Sequence, residues 1–243
     1  MVAYGYDATS SVYSPEGKLY QLEYARKIIE NDSSLLLAVC CSDGVVICAE
    51  RFGESILLEN DANQVCFKPT KNISLSFTGR WPDGKYLCTK AVNMACEHLD
   101  EKGFDILPIT LVKDLSLHIY SHTLGSAHRI YGAECFVSAF HQNKPCIFHI
   151  SQDGSVVKVF GHAIGKGADQ AIPSIETLDL TQSIDDLLPS IAKIVFNVHE
   201  ETFMDKKLRF EVTKVYADRI VSLSERECES LVDLVSENAI EAE

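Results

Sequence analysis

At 243 residues, 46% of them apolar, the chain can bury a sizeable core as one large domain or two small ones. Its net charge of −13 argues against a nucleic-acid backbone as partner, and no segment approaches the roughly 20 apolar residues of a membrane span. No basic stretch followed by an apolar run opens the chain, so no secretory signal is expected, and nine cysteines without framework spacing read as buried free thiols of a reducing compartment.

Residues 6–25, YDATSSVYSPEGKLYQLEYA, carry the most information. A polar arm bears Tyr4, Tyr6 and Asp7. Ser14-Pro15-Glu16-Gly17 reads as a turn, with Pro15 presetting φ and Gly17 suited to the exit position. From Lys18 onward Leu19, Leu22, Ala25, Ile28 and Ile29 recur at helical spacing, which predicts a short amphipathic helix over 18–30. Its apolar face must be covered, and a neighbouring copy is the expected cover.

Short apolar runs at 35–41 and 45–50, joined by Ser42-Asp43-Gly44, read as a hairpin. Strands are predicted at 64–67 and 73–77, with Thr78-Gly79 closing the second. A helix opens near Pro82 and runs to about Lys102; another starts at Pro108 and continues through Leu111, Leu115, Ile119 and Leu124. Strands return at 134–141 and 145–151 around Gln142-Asn143-Lys144, then at 155–161 after Asp153-Gly154. Helices follow at 167–177 and 184–200, strands at 207–215 and 218–222, and a last helix from Ser224. From Glu225 to Glu243 seven acids face Arg226 alone, so this helix is expected to fade into a solvated acidic tail over 237–243. Pairs of long helices between antiparallel hairpins predict an α+β fold, two stacked sheets with a helical layer on each outer face. No linker divides the chain, so one domain is expected, with the arm and turn at 1–17 and the sandwich at 34–236.

The opening segment resembles the signature of the alpha-type subunits of the 20S proteasome: a Tyr-Asp arm, a Ser-Pro-Glu-Gly turn and a Gln-x-Glu-Tyr-Ala helix. The likeness continues through Asp43-Gly44-Val45-Val46, Thr78-Gly79, Arg129-x-x-Gly132 and the turn containing Gly165. It implies the four-layer αββα sandwich of the N-terminal-nucleophile hydrolases, preceded by an N-terminal helix. An active member needs Thr, Ser or Cys as the first mature residue, a free amine as base and a lysine on a nearby strand. Aligned on the first hairpin, the nucleophile position falls at Ser34, preceded by Ser33 where self-processing relatives have glycine, and Glu50 stands at the aspartate position. Counted back from Gly79, the lysine position falls at Val65 or Cys66, neither of which supplies an ammonium. No catalytic residue is therefore assigned; a peptidase processed to Ser34 is the alternative.

Other motifs carry less. The glycine-rich stretch from Gly161 to Gly167 is one residue short of a phosphate loop and ends in Gly where Ser or Thr would hold magnesium, so it reads as a strand-to-helix turn. His118 and His122 sit four apart on a predicted helix but have no third ligand, so no metal is expected. Cys40 and Cys41 lie in one strand and point to opposite faces. No G-x-S-x-G elbow supports a serine triad.

What the resemblance implies is a non-catalytic structural and gating subunit. Seven alpha subunits form a ring, and two such rings flank the catalytic beta rings. The ring supports ATP- and ubiquitin-dependent degradation in cytoplasm and nucleus by controlling the access of unfolded polypeptides. Implied partners are the other alpha subunits, the beta subunits and regulatory activators, with no nucleic acid, membrane, cofactor or metal. The gate cluster maps onto Tyr6, Asp7, Pro15 and Tyr24, where hydroxyls and a carboxylate bond across subunits from a rigid turn. Local packing of these aromatics within one subunit is the alternative. In many alpha subunits a lysine lines an activator-tail pocket; the corresponding positions here, Val65, Cys66 and Gly79, form a pocket without its cation. The missing lysine and the spacing from Phe67 to Ile73 are similar to the alpha type-6 class. Ala8 stands where arginine commonly follows Tyr-Asp, and Tyr13 replaces the usual phenylalanine.

Overall fold

The computed structural model describes residues 5–51, 64–125, 128–203 and 208–240. Tyr4, Lys207 and residues 241–243 lie outside them. In chain order the elements are α1 (Tyr20–Asp32), β1 (Leu36–Cys40), β2 (Val45–Arg51), β3 (Cys66–Thr70), β4 (Ile73–Gly79), α2 (Trp81–Lys102), α3 (Pro108–Ser121), β5 (Ala133–His141), β6 (Lys144–Ile150), β7 (Val156–Val159), β8 (Gly161–Ile164), α4 (Ala168–Glu176), α5 (Ile184–Phe203), β9 (Arg209–Val215), β10 (Ile220–Ser222) and α6 (Glu225–Ile240).

Two antiparallel five-stranded sheets result, ordered β10-β9-β2-β1-β8 and β3-β4-β5-β6-β7. The chain's period-2 pattern explains the layering. In β1 and its flanks, Leu35, Leu37, Val39 and Cys41 join a core with α4, α5 and α6, while Leu36, Ala38 and Cys40 face the other sheet alongside Phe136 and Ile147. Cys40 and Cys41 therefore point to opposite faces, as their alternation requires. The outer face of the second sheet packs Leu75, Phe77 and Val137 against Leu87, Leu111 and Leu115 of α2 and α3. This is the expected sandwich, with both faces of the central strands buried. All nine cysteines are free; eight are buried and Cys96 is exposed.

Local chemistry sets the joints. Gln142 and Asn143 both take positive φ (52° and 58°), the signature of a two-residue hairpin turn, so Lys144 belongs to β6. Asp43 Oδ1 accepts the Ile184 amide at 2.8 Å and so ties the first hairpin to the start of α5. Ser224 and Glu227 cap α6 reciprocally, with the Ser224 amide 2.7 Å from Glu227 Oε2. That helix continues to Ile240, so residues 237–240 are helical.

β3 lies at Cys66–Thr70 rather than 64–67, and two elements differ more deeply from the sequence reading. The strand expected at 155–161 is two strands in different sheets: β7 ends at Val159, the chain crosses at Phe160, and β8 pairs with β1. The Cys40 amide donates to the Phe160 carbonyl at 2.7 Å, which pins the crossover. Both halves are rich in apolar residues and only Phe160 separates them, so the switch leaves little trace in composition. It also shortens the predicted turn after Gly161 to Gly165-Lys166-Gly167. The second difference is at α3, which stops at Ser121 rather than reaching Leu124.

Candidate functional site

The N-terminal segment is built outward from its turn. Ser14 organises it three ways: its carbonyl accepts the Gly17 amide (2.9 Å), its amide donates to the Lys18 carbonyl (2.9 Å), and its Oγ accepts the Lys18 amide (3.1 Å). Gly17 takes φ 77° at the exit, a conformation costly for any residue with a Cβ. Pro15 and Glu16 are exposed at the tip. Helix α1 then begins, with Glu23 in its first turn and Tyr20 stacked on Tyr24 at 6.3 Å.

The apolar face of α1 is divided between two covers. Ala25 and Ile29 are buried by the chain's own body, at 5% and 4% exposure, and Ile28 rests on Gly132. Part of the face expected to need a neighbour is thus satisfied internally. Leu19 and Leu22 are only half-buried and line a groove of about 670 Å³ between α1, the arm, Tyr120 and Leu124. Arg26 reaches Asp153 at 3.7 Å, and Ser33 Oγ donates to the Ile29 carbonyl at 2.5 Å.

Of the residues expected in the gate cluster, Tyr6, Pro15 and Tyr24 are exposed and Asp7 is half-buried. Within one chain they do not bond to one another. Among the described residues the Tyr6 hydroxyl, the Asp7 carboxylate and the Tyr24 hydroxyl have no hydrogen-bond partner. The Asp7 backbone is engaged instead: Gln21 Nε2 donates to its carbonyl. Ser10 Oγ donates to the Gly125 carbonyl at 2.8 Å. Neither Gln21 nor Ser10 stands out in the sequence as a contact residue, although Gln21 opens the Gln-x-Glu-Tyr-Ala motif.

The body beneath α1 is held by a polar corner. Arg129 forks onto the buried Asp83 carboxylate, and Asp83 Oδ2 also accepts the Gly132 amide at 2.9 Å. The Arg80 amide returns a bond to the Gly132 carbonyl at 2.7 Å. Gly79, at φ 114°, lies so close that a Cβ would sit 2.3 Å from that carbonyl. Thr78-Gly79 and Arg129-x-x-Gly132 are therefore two halves of one corner. Burial pushes Asp83 up, but the Arg129 hydrogen bonds, the Gly132 amide and the nearby guanidinium charges outweigh it and hold its pKa below the usual value.

At the position of a nucleophile, the Ser34 carbonyl accepts Thr78 Oγ1 at 2.5 Å and packs against Gly165. Glu50 is buried and takes a hydrogen bond from His199 Nδ1 and one from the Leu35 amide at 3.3 Å. On β3 and its edge, the amides of Val65 and Cys66 donate to the Glu211 carboxylate at 3.1 and 3.2 Å. Val65 lies across from Phe77, whose amide bonds its carbonyl at 3.2 Å, two residues before Gly79. The lysine position thus faces a carboxylate. Burial raises the Glu211 pKa, with the two amides and Arg51 opposing that rise, and burial pushes the Cys66 thiol well above its ordinary value. These groups hold the fold together and leave no activated nucleophile on β3.

His118 and His122 converge on one hydroxyl. His122 Nδ1 donates to the Arg129 carbonyl (3.3 Å), its Nε2 accepts the Tyr131 hydroxyl (3.0 Å), and His118 Nε2 donates to the same oxygen (3.1 Å). Burial lowers the His118 pKa, aided by His122 and Lys90.

Comparison with known proteins agrees with this architecture. Residues 31–213 match the family model for proteasome subunits, and residues 6–27 match the N-terminal signature of the A-type proteasome subunits. The chain is 29% identical to the alpha type-3 proteasome subunit of Dictyostelium discoideum over 212 residues, 87% of this chain and 85% of the relative. It is 30% identical to the alpha type-3 subunit of Drosophila melanogaster (86% and 82% covered) and 30% identical to the probable alpha type-7 subunit of Schizosaccharomyces pombe (87% and 83%). The alpha type-6 class read from the missing lysine finds no support among these relatives.

Proposed function

The chain belongs to the proteasome subunit family, and from that premise we propose that its N-terminal arm gates a channel at the centre of a seven-membered outer ring. It is a non-catalytic alpha-type subunit of the 20S core, within a peptidase complex whose chemistry lies in other subunits. In this reading those subunits carry threonine nucleophiles, the particle works in cytoplasm and nucleus, and its substrates are unfolded polypeptides. In the same reading its ring position is one held by the alpha type-3 or type-7 relatives.

One observation carries the gating reading. A rigid turn and helix hold Tyr6, Asp7 and Tyr24 at the surface with no hydrogen-bond partner for their side-chain oxygens among the described residues, groups suited to bond across to a neighbouring arm. The half-buried Leu19 and Leu22 offer the neighbour an apolar seat beside them. On the side of Val65 and Cys66 neither residue supplies the cation that an activator's C-terminal carboxylate would need, so tail docking there is weak.

Native mass measurement in cell extract tests the assembly. Co-migration with a very large multi-subunit particle is expected; a free monomer or dimer would refute it, and cross-linking of neighbours in the isolated particle checks the ring position. Asp7→Ala tests the gate. Basal peptide hydrolysis by the assembled particle is expected to rise by at most about fivefold, the equivalent of one hydrogen bond, because six other arms remain. Unchanged hydrolysis would reject gating by this arm.

A further inference from the structure

We infer that Gln21 is the latch that sets the direction of the N-terminal arm, with Ser10 as a second tether. Gln21 lies in the first turn of α1 and donates from Nε2 to the Asp7 carbonyl. Three residues on, the buried Ser10 donates from Oγ to the Gly125 carbonyl at 2.8 Å, just beyond the end of α3. The intervening Ala8 amide closes a turn onto the Gly5 carbonyl at 3.4 Å. Two anchors on two different elements leave this short stretch a single trajectory over the body.

The chemistry of the latch separates holding from presenting. Gln21 grips main chain, so the Tyr6 hydroxyl and the Asp7 carboxylate stay available for other partners. The position needs a donor with the reach of glutamine. Glutamate has the same length but, ionised, only accepts, and it would turn a carboxylate toward a carbonyl oxygen; lysine reaches as far and keeps a donor. Because Gln21 belongs to α1, a displacement of that helix's first turn carries Asp7 with it. The latch stands on these contacts alone; its effect on channel access rests on the gating reading.

The test uses assembled particles carrying Gln21→Glu, Gln21→Lys or Ser10→Ala. Two quantities are measured: hydrogen exchange of the peptide covering residues 5–13, and basal hydrolysis of a short unstructured peptide. Gln21→Glu is expected to speed exchange of the arm about threefold to tenfold, the loss of one hydrogen bond, and to raise hydrolysis. Gln21→Lys should stay near wild type, and Ser10→Ala, which leaves α1 untouched, should speed arm exchange through the second tether. Unchanged arm exchange in Gln21→Glu overturns the latch. So does an equal rise in Gln21→Lys, which would make the cause lost packing rather than a lost donor. Faster exchange with unchanged hydrolysis upholds the latch and removes the gating reading.

Discussion

Glu50→Ala is expected to cost the fold about 3–5 kcal/mol, from two buried donors that lose their acceptor at roughly 1–3 kcal/mol each together with the cavity left behind. Glu50 and His199 are each only 2% exposed, and they join β2 to α5 across 149 residues of sequence. Truncation would remove the acceptor that His199 Nδ1 and the Leu35 amide share, and would open a cavity under the first strand. Glu50→Gln keeps the shape and one acceptor, so its cost should be smaller, about 1–3 kcal/mol. Chemical denaturation of the purified chain reads both values. The same pair of variants separates two readings of this carboxylate. In an active hydrolase Glu50 would serve a nucleophile at Ser34, and its loss would abolish turnover with the fold intact. Here its partners are a helix and a strand, so stability should fall instead. A loss below about 1 kcal/mol for Glu50→Ala would mean that the pair holds nothing.

How much of this is legible in the sequence depends on the distance over which each feature is encoded. The arm, the turn and α1 are written in contiguous residues whose types have local consequences: Pro15 and Gly17 for the turn, Leu22, Ala25 and Ile29 for the face. The sandwich is readable for the same reason, since its hairpin turns and paired helices are local and only their stacking is not. The division of the α1 face is not readable. Whether Ile28 meets Gly132 or a neighbour depends on a corner assembled from residues around 80 and 130. Nor is the link from Glu50 to His199, because neither residue carries a local signal naming the other. The switch from β7 to β8 escapes because Val159 and Gly161 suit one continuous strand as well as two. The subtype reading fails for a related reason: one missing lysine describes a single interface position, whereas likeness to the alpha type-3 and type-7 relatives is spread over more than 200 residues.

Asp83→Ala is the second change expected to be severe, at about 2–3 kcal/mol. The carboxylate is 4% exposed and satisfies the Gly132 amide while receiving Arg129 as a fork. Arg129 itself is 58% exposed, so water takes over much of its share, and the stranded Gly132 amide dominates the loss. Asp83→Asn keeps an acceptor for that amide and should lose only about 1 kcal/mol. Acidity gives an independent check. The folded-state pKa of Asp83 lies below its ordinary value of about 3.9, because Arg129 and Gly132 outweigh its burial. Its contribution is therefore complete above that ordinary value and disappears as the pH falls through the folded value. Melting temperatures measured from about pH 6 down to about pH 3 should drop more steeply below about pH 4 in the wild type than in Asp83→Asn. Parallel curves would show that the carboxylate's charge contributes nothing. The corner also bears on the arm. Gly132 lies directly under Ile28, so loosening it in Asp83→Ala should speed hydrogen exchange in the second half of α1, the part of the helix that its own chain buries. A destabilised chain whose α1 keeps full protection would separate the corner from the helix and leave the burial of Ala25 and Ile29 to hold its second half.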